Sequence, residues 1–105
     1  MQEPTFLVLT ALAAGGQHGY GIMTDVARIS GGRVRLRAGT LYAAPDRLRA
    51  DDLVEVDREE VVDCRLRRYY KLSADGRTSL EAEAARLQAN AAAAVTRLRA
   101  ARAAG

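Results

Sequence analysis

The chain has 105 residues, of which 49% are hydrophobic, so it can form one globular domain with a modest core and is too short for two. Sixteen lysines and arginines against 13 acidic residues give a formal net charge of +3, a mild basic excess that is compatible with an anionic partner. A single cysteine, Cys64, excludes an intrachain disulfide framework and fits a reducing compartment.

The first predicted element is a helix that starts at Pro4 and Thr5 and ends before Gly15 and Gly16. Proline is favoured in the first helical turn, and an apolar run begins at Phe6. This run is too short to cross a bilayer, and no basic segment precedes it as a signal peptide would require. We therefore expect a cytoplasmic protein that does not enter the membrane.

A second helix is predicted from about Tyr20 to Ser30, closed by Gly31 and Gly32, because glycine adopts the left-handed conformation past a helix C-terminus. Its predicted apolar face consists of Ile22, Met23, Val26, Ala27 and Ile29. The preceding GGQHGYG (15–21) lacks the strand before it and the Lys-Ser/Thr after it that a phosphate-binding loop requires. We predict a tight turn there instead.

Catalytic and metal-binding chemistry has little support in the sequence. His18 and Cys64 are the only histidine and cysteine, too few for a metal site of their type within one chain. As a catalytic pair they would lack a third group to orient them. We predict no enzyme activity, no metal and no cofactor; His18 and Tyr20 are expected to pack the turn.

The third predicted helix lies in VRLRAGTLYAAPDRLRADD (34–52) and contains a proline. Leu41, Tyr42, Ala44 and Leu48 fall at helical spacing, but Pro45 in a helix interior costs about 3 kcal/mol. One alternative is a short helix that starts at Ala44-Pro45-Asp46, where proline and an acid are both favourable. The other is a longer helix kinked at Pro45.

The next two segments, LVEVDREEVV (53–62) and LRRYYKLS (66–73), are rich in Val, Tyr and Leu and partly alternate. They predict two strands of a hairpin whose tip lies near Asp63, Cys64 and Arg65.

The last predicted element is one long helix from Ala74 to the end. Leucine and alanine recur on it at steps of four and three, as in a heptad seam, at Leu80, Ala84, Leu87, Ala91, Ala94 and Leu98. Packing on its own domain is one interpretation. We favour dimerisation, because little core lies nearby.

Three helices, a hairpin and a further helix are the order of a winged helix-turn-helix. The sequence also resembles the PadR family of bacterial transcriptional regulators, in its shorter branch. The matching segments are HGYGIM (18–23), RVRLRAGTLY (33–42), DRL (46–48), LVEVD (53–57) and RLRRYYKLSADG (65–76). They keep the family's order and spacing over almost the whole chain.

The resemblance implies a mainly α fold with a two-stranded β-wing. Residues 1–73 would form the winged helix-turn-helix domain and residues 74–105 the dimerisation helix. It also implies a homodimeric repressor that binds double-stranded DNA, with a third helix that starts near Ala38 and lies in the major groove. On this basis we expect the third helix to be kinked at Pro45. Many family members are released from DNA by a small molecule, often apolar and bound at the dimer interface.

Candidate DNA-binding residues follow from this placement, since arginine can bind phosphate or read guanine and hydroxyls can contact the groove. They are Tyr20, Arg35, Arg37, Thr40, Tyr42, Arg47, Arg65 and Arg67. For Arg33, Arg49 and Arg68, a role as solvated surface is an equally good interpretation. The candidate dimerisation residues are Phe6, Leu9, Leu80, Ala84, Leu87, Ala91 and Leu98.

Three positions depart from the family pattern. Pro45 replaces an apolar residue, and Asp52 and Cys64 replace glycines at the helix end and the wing tip. Two functions therefore compete. The first is a homodimeric repressor that binds a palindromic operator. The second is a dimeric ligand-binding or interaction module in which recognition of DNA is weakened or lost through Pro45.

Overall fold

The structure is a computed structural model that describes residues 1–37 and 45–105. Its elements in chain order are α1 (Glu3–Leu12), β1 (Gln17–His18), α2 (Gly19–Ile29), α3 (helical residues 45–50), β2 (Val54–Val62), β3 (Arg65–Leu72) and α4 (Ala74–Ala104). This order confirms the predicted fold, which is mostly helical with a small antiparallel sheet and a long C-terminal helix. Within the described ranges, no helix is both long and apolar enough to span a membrane.

Helix α1 is the centre of the core. Five of its ten residues are buried, and it contacts α2, α4 and β3. Ile22 and Val26 of α2 are almost completely inaccessible to solvent. Burying each such aliphatic side chain stabilises the folded state by about 1.5–3 kcal/mol. The remaining buried apolar side chains are Leu36, Leu48, Val54, Tyr70 and Leu72.

Two expectations about apolar residues are wrong. Leu9, predicted to assist dimerisation, is 0% exposed because α1 is covered on several sides by its own subunit. Ile29, predicted on the buried face of α2, is 44% exposed because it is the last residue of that helix, beyond the core contacts of Ile22 and Val26.

Helices α2 and α3 end in the same hydrogen-bond pattern. After α2, the Gly32 N–H donates to the Ala27 carbonyl (2.7 Å) and Gly31 has a φ of 64°. After α3, the Leu53 N–H donates to the Leu48 carbonyl (2.9 Å) and Asp52 has a φ of 59°. Both ends are Schellman motifs. Asp52 therefore occupies a glycine position, at a backbone cost on the order of 1 kcal/mol.

The sheet has three strands in the order β1-β3-β2, all antiparallel. The two-stranded wing is as predicted, and a third strand that was not predicted joins it, because Gln17 and His18 pair with Tyr70 and Tyr69. A strand of two residues is too short to show an alternating pattern in the sequence. Its formation depends on β3, which is far away along the chain.

Strands β2 and β3 form the wing, with a register irregularity between Val56 and Arg58. Asp63 and Cys64 connect them with φ values of 52° and 63°. A two-residue turn with both central residues at positive φ matches the twist of a hairpin. The predicted position of the wing tip is confirmed.

Helix α4 is in contact with the rest of the subunit only at its beginning. Gly76 and Glu83 are buried and Leu80 packs against the core, whereas every residue from 85 onward is exposed. The described molecule consequently measures 65 × 27 × 20 Å.

Candidate nucleic-acid interface

A cleft of about 600 Å³ lies between the start of α2, residue 46 of α3 and the wing. The side chains that line it include His18, Tyr20, Asp46, Arg65, Leu66 and Arg67. Tyr20 is exposed in the first turn of α2, and Arg65 and Arg67 come from β3. The fold thus brings Tyr20 together with Arg65 and Arg67, which lie more than 40 positions further along the chain.

Strand β1 creates this proximity. Its pairing places His18 opposite Tyr69, and the two rings meet edge to face with centroids 5.4 Å apart. The Arg58 guanidinium lies over the Tyr69 ring, 4.2 Å from its centroid, which is cation–π geometry. The first turn of α2 is therefore held against the base of the wing.

His18 packs this turn, as predicted, and caps α2. Its Nδ1 accepts a hydrogen bond from the Gly21 N–H at 3.3 Å, so the neutral ring carries its proton on Nε2. Burial lowers the pKa of His18, and the positive charge of Arg67 lowers it further against the opposing effect of Glu60. Burial and Arg67 therefore both favour the neutral form of the His18 ring.

The arginines fall into two groups according to their partners. Each arginine that the sequence left open as solvated surface has a carboxylate partner: Arg33 pairs with Glu3, Arg49 with Asp46 (3.7 Å) and Arg68 with Glu59 (3.0 Å). Among residues 1–37 and 45–105, no ion pair involves the predicted DNA-binding arginines, which are Arg35, Arg37, Arg47, Arg65 and Arg67. The charges of these five arginines are available to an anion. Arg33, Arg49 and Arg68 are instead each paired with a carboxylate.

Arg35, Arg37 and Arg47, the described candidates around the third helix, are not among the residues that line the wing cleft. Arg35 and Arg37 are exposed, and Arg35 donates from Nε to the Gly32 carbonyl (3.3 Å). Arg47 lines a small groove of about 190 Å³ beside α1 rather than the wing cleft. Pro45 is helical and buried. Thr40, Tyr42 and the predicted helix start near Ala38 lie outside the described residues, as does the choice between a kinked helix and one that starts at Pro45.

Two features of the cleft and the adjoining wing were not predicted from the sequence. The acidic residue Asp46 is among the lining residues, and a negative charge there would oppose the binding of a phosphate. Leu66 and Val61 are directly opposite each other near the wing tip, and Val61 is 73% exposed. The pairing of two apolar residues could have been found from the hairpin register, but their exposure depends on how far the wing projects.

The match to a family model decides the assignment. The model of the Transcriptional regulator PadR-like family matches residues 8–82, which is most of the chain. The chain belongs to the PadR-like family. The resemblance drawn from the sequence motifs is confirmed, and so is the role of transcriptional regulator, which is not an enzymatic one.

Solved structures of PadR-like regulators share the fold. A PadR family regulator from Eggerthella lenta superimposes with a TM-score of 0.72 at 22% identity, covering 90% of this chain and 80% of that one. A PadR-like transcription factor from Bacteroides fragilis gives 0.67 at 27%, covering 85% and 84%. Bacillus subtilis PadR, solved in complex with operator DNA, gives 0.67 at 17%, covering 76% and 45%. Comparison with curated protein sequences finds no match.

The predicted PadR-type dimerisation seam is divided by the structure. Leu80 and Ala84 are partly buried within their own subunit, so the interpretation that α4 packs on its own domain holds for this part. Leu87 is 40% and Leu98 67% exposed, and Ala91 is exposed as well. Phe6 is partly buried against the core.

Proposed function

We propose that this PadR-like regulator is a homodimeric repressor that binds a palindromic operator in the cytoplasm. The observation that carries the proposal is the wing cleft, where Tyr20, Arg65 and Arg67 converge without a carboxylate partner for either arginine in the described chain. Phosphate contacts of this kind supply most of the affinity for DNA and position the protein on it. The operator complex of Bacillus subtilis PadR supports the same use of the fold.

In this proposal the two subunits associate through residues 85–104 of α4. Leu87, Ala91 and Leu98 lie on this exposed part of the helix, and alternation of leucine with alanine suits close helix–helix packing. A two-fold axis between the subunits would place two copies of the third helix in successive major grooves, about 34 Å apart. Arg35, Arg37, Thr40, Tyr42 and Arg47 are the candidates for contacts there.

A small apolar effector at the dimer interface completes the proposed regulation. It would bind between the two copies of α4 and change the spacing of the DNA-binding surfaces. An effector of this kind must bind the DNA-free dimer more tightly than the DNA-bound one.

The proposed DNA contacts can be tested by changing Arg65 and Arg67 together to alanine. We expect weaker binding to all sequences, and a slope of log K against log salt that is smaller by about 0.9 for each lost phosphate contact. The matched control changes Arg28 and Arg33 to alanine, because these two arginines are paired with Asp25 and Glu3. Equal effects of the two double variants would contradict the assignment of the wing.

A second candidate function is a dimeric interaction or ligand-binding module with weakened DNA reading. It is favoured by Asp46, an acidic residue among those that line the cleft, and by Pro45 in α3. Titration with the DNA upstream of its own gene at two salt concentrations distinguishes the two functions. Saturable binding with an excess over non-specific DNA supports the repressor, and its absence supports the module.

A further inference from the structure

The hydroxyl group of Ser73 forms hydrogen bonds both to the segment that follows α3 and to the first turn of α4. The Ser73 Oγ donates to the Asp52 carbonyl at 2.5 Å, just after α3. The same oxygen accepts the Gly76 N–H at 2.9 Å and so caps α4. Ser73 therefore connects the end of α3 with the beginning of α4.

Backbone hydrogen bonds reinforce this connection. The Ser73 N–H donates to the Leu53 carbonyl (3.1 Å), and the Leu53 N–H donates to the Leu48 carbonyl within α3 (2.9 Å). A continuous series of bonds thus joins the two helices through Leu53. The Schellman motif at Asp52 directs the chain from α3 towards this point.

Gly76 brings the two backbones into direct contact. A Cβ at this position would lie 2.8 Å from the carbonyl carbon of Leu53 and closer still to its oxygen. Gly76 is also buried, so the first turn of α4 rests on the backbone of Leu53 with no side chain between them. We call Asp52, Leu53, Ser73 and Gly76 the α3–α4 joint.

We propose that the α3–α4 joint fixes the angle between α4 and α3, and that Ser73 is thereby a positioning residue for DNA recognition. In a dimer formed through α4, this angle determines the separation of the two third helices and hence the spacing of half-sites that is bound. The inference rests on the proposed function for its effect on DNA. The angle itself is a property of one subunit.

The test compares Ser73→Ala, which removes the hydroxyl, with Ser73→Thr, which retains it. A duplex is selected from a random-sequence library with the wild type, and its half-site spacing is then changed by one base pair in either direction. We expect the wild type and Ser73→Thr to bind the selected duplex about tenfold more tightly than the duplexes with altered spacing, an effect on the scale of one mismatched base pair. With Ser73→Ala, the ratio of these two affinities should approach one. A uniform loss of affinity at an unchanged ratio would show a merely structural role and overturn the proposal.

A DNA-independent measurement separates this inference from the proposed function. Spin labels on Arg49→Cys and Ala85→Cys, in a Cys64→Ser background diluted with unlabelled chains, report the distance between α3 and α4 within one subunit. We expect one narrow distance for the wild type and Ser73→Thr and a broad distribution for Ser73→Ala. Identical narrow distance distributions in the wild type, Ser73→Thr and Ser73→Ala would overturn the proposal that the joint fixes the angle between α3 and α4. Absence of DNA binding by the wild type would overturn only the repressor.

Discussion

The two parts of α4 share one spacing of leucine and alanine but have different surroundings. Residues 74–84 lie against the subunit through Gly76, Leu80 and Glu83, whereas residues 85–104 extend beyond it with every residue exposed. The leucine and alanine spacing continues through both parts. The spacing in the sequence therefore identifies the apolar face of the helix. Whether that face is covered by the same subunit depends on how far the rest of the domain extends along the helix.

Charge differs between the two parts as well. Glu83 is buried and receives the N-terminal ammonium of Met1 at 2.9 Å together with the Arg86 guanidinium. These two partners, the ammonium first, lower the pKa of Glu83 below its ordinary value of 4.5. On the projecting part, Arg97 and Arg99 are exposed to solvent. The anchored part is thus fixed by burial and ion pairs, and the projecting part is the surface through which we propose dimerisation.

The largest expected effect is the loss of the dimer in Leu87→Asp. An aspartate there would place an unpaired charge in the proposed seam between two copies of α4, which is strongly destabilising. We expect a monomer by light scattering, with helical circular dichroism retained. Leu87→Met serves as the control, because a substitution of similar volume is tolerated. A Leu87→Asp protein that remains dimeric would contradict the proposed interface.

The next effect separates packing within the subunit from packing between subunits. In the Leu87→Asp background, Leu80→Ala should lower the free energy of unfolding by about 1–3 kcal/mol, because Leu80 packs against the core. Leu98→Ala should change it by less than about 0.5 kcal/mol, because Leu98 is exposed. Urea denaturation measures both changes. Equal values would show that the two parts of α4 do not differ as described.

A smaller effect should depend on pH. Because the folded pKa of Glu83 is lowered, its contribution is fully present above the unfolded value near 4.5 and is lost as the pH falls through the folded pKa. Glu83→Gln should therefore be less stable than the wild type at pH 7. The difference should shrink below about pH 4.5. Thermal unfolding across this pH range tests the prediction, and a constant difference would contradict it.

The smallest expected effect concerns Asp52, which accepts the hydrogen bond that anchors the beginning of α4. Glycine adopts positive φ without the steric cost that aspartate has, so Asp52→Gly should stabilise the protein by about 0.5–1 kcal/mol. Gly31→Ala, at the equivalent end of α2, should destabilise it for the same reason. Chemical denaturation of the Asp52→Gly and Gly31→Ala variants measures the sign of each change in the free energy of unfolding. Destabilisation by Asp52→Gly would mean that the aspartate side chain has a compensating role.

The features predicted correctly from the sequence are those set by local chemistry. Gly31 and the departure at Asp52 identify helix ends, because few residues tolerate positive φ, and the change of pattern near Asp63 identifies the wing tip. The family was also recognisable, because its motifs are contiguous segments of the chain.

The features that could not be predicted depend on residues far apart in the chain. Helix α1 is apolar on most of its faces, so its pattern could not show that Leu9 is enclosed by its own subunit. The pairing of Arg33 with Glu3 spans 30 positions and requires the folded chain, as does the position of Asp46 in the cleft. The division of the arginines into compensated and available charges therefore appears only in three dimensions.

The alanine content of the projecting part of α4 affects the entropy of association. Half of residues 85–104 are alanine, the residue with the highest intrinsic helix propensity. Such a segment retains its helix with little help from tertiary contacts, aided by nucleation in the anchored turns that precede it. A second subunit would meet a backbone that is already ordered, so dimerisation would lose little conformational freedom of the main chain. The modest apolar surface of alternating leucine and alanine can then be sufficient for a stable pair.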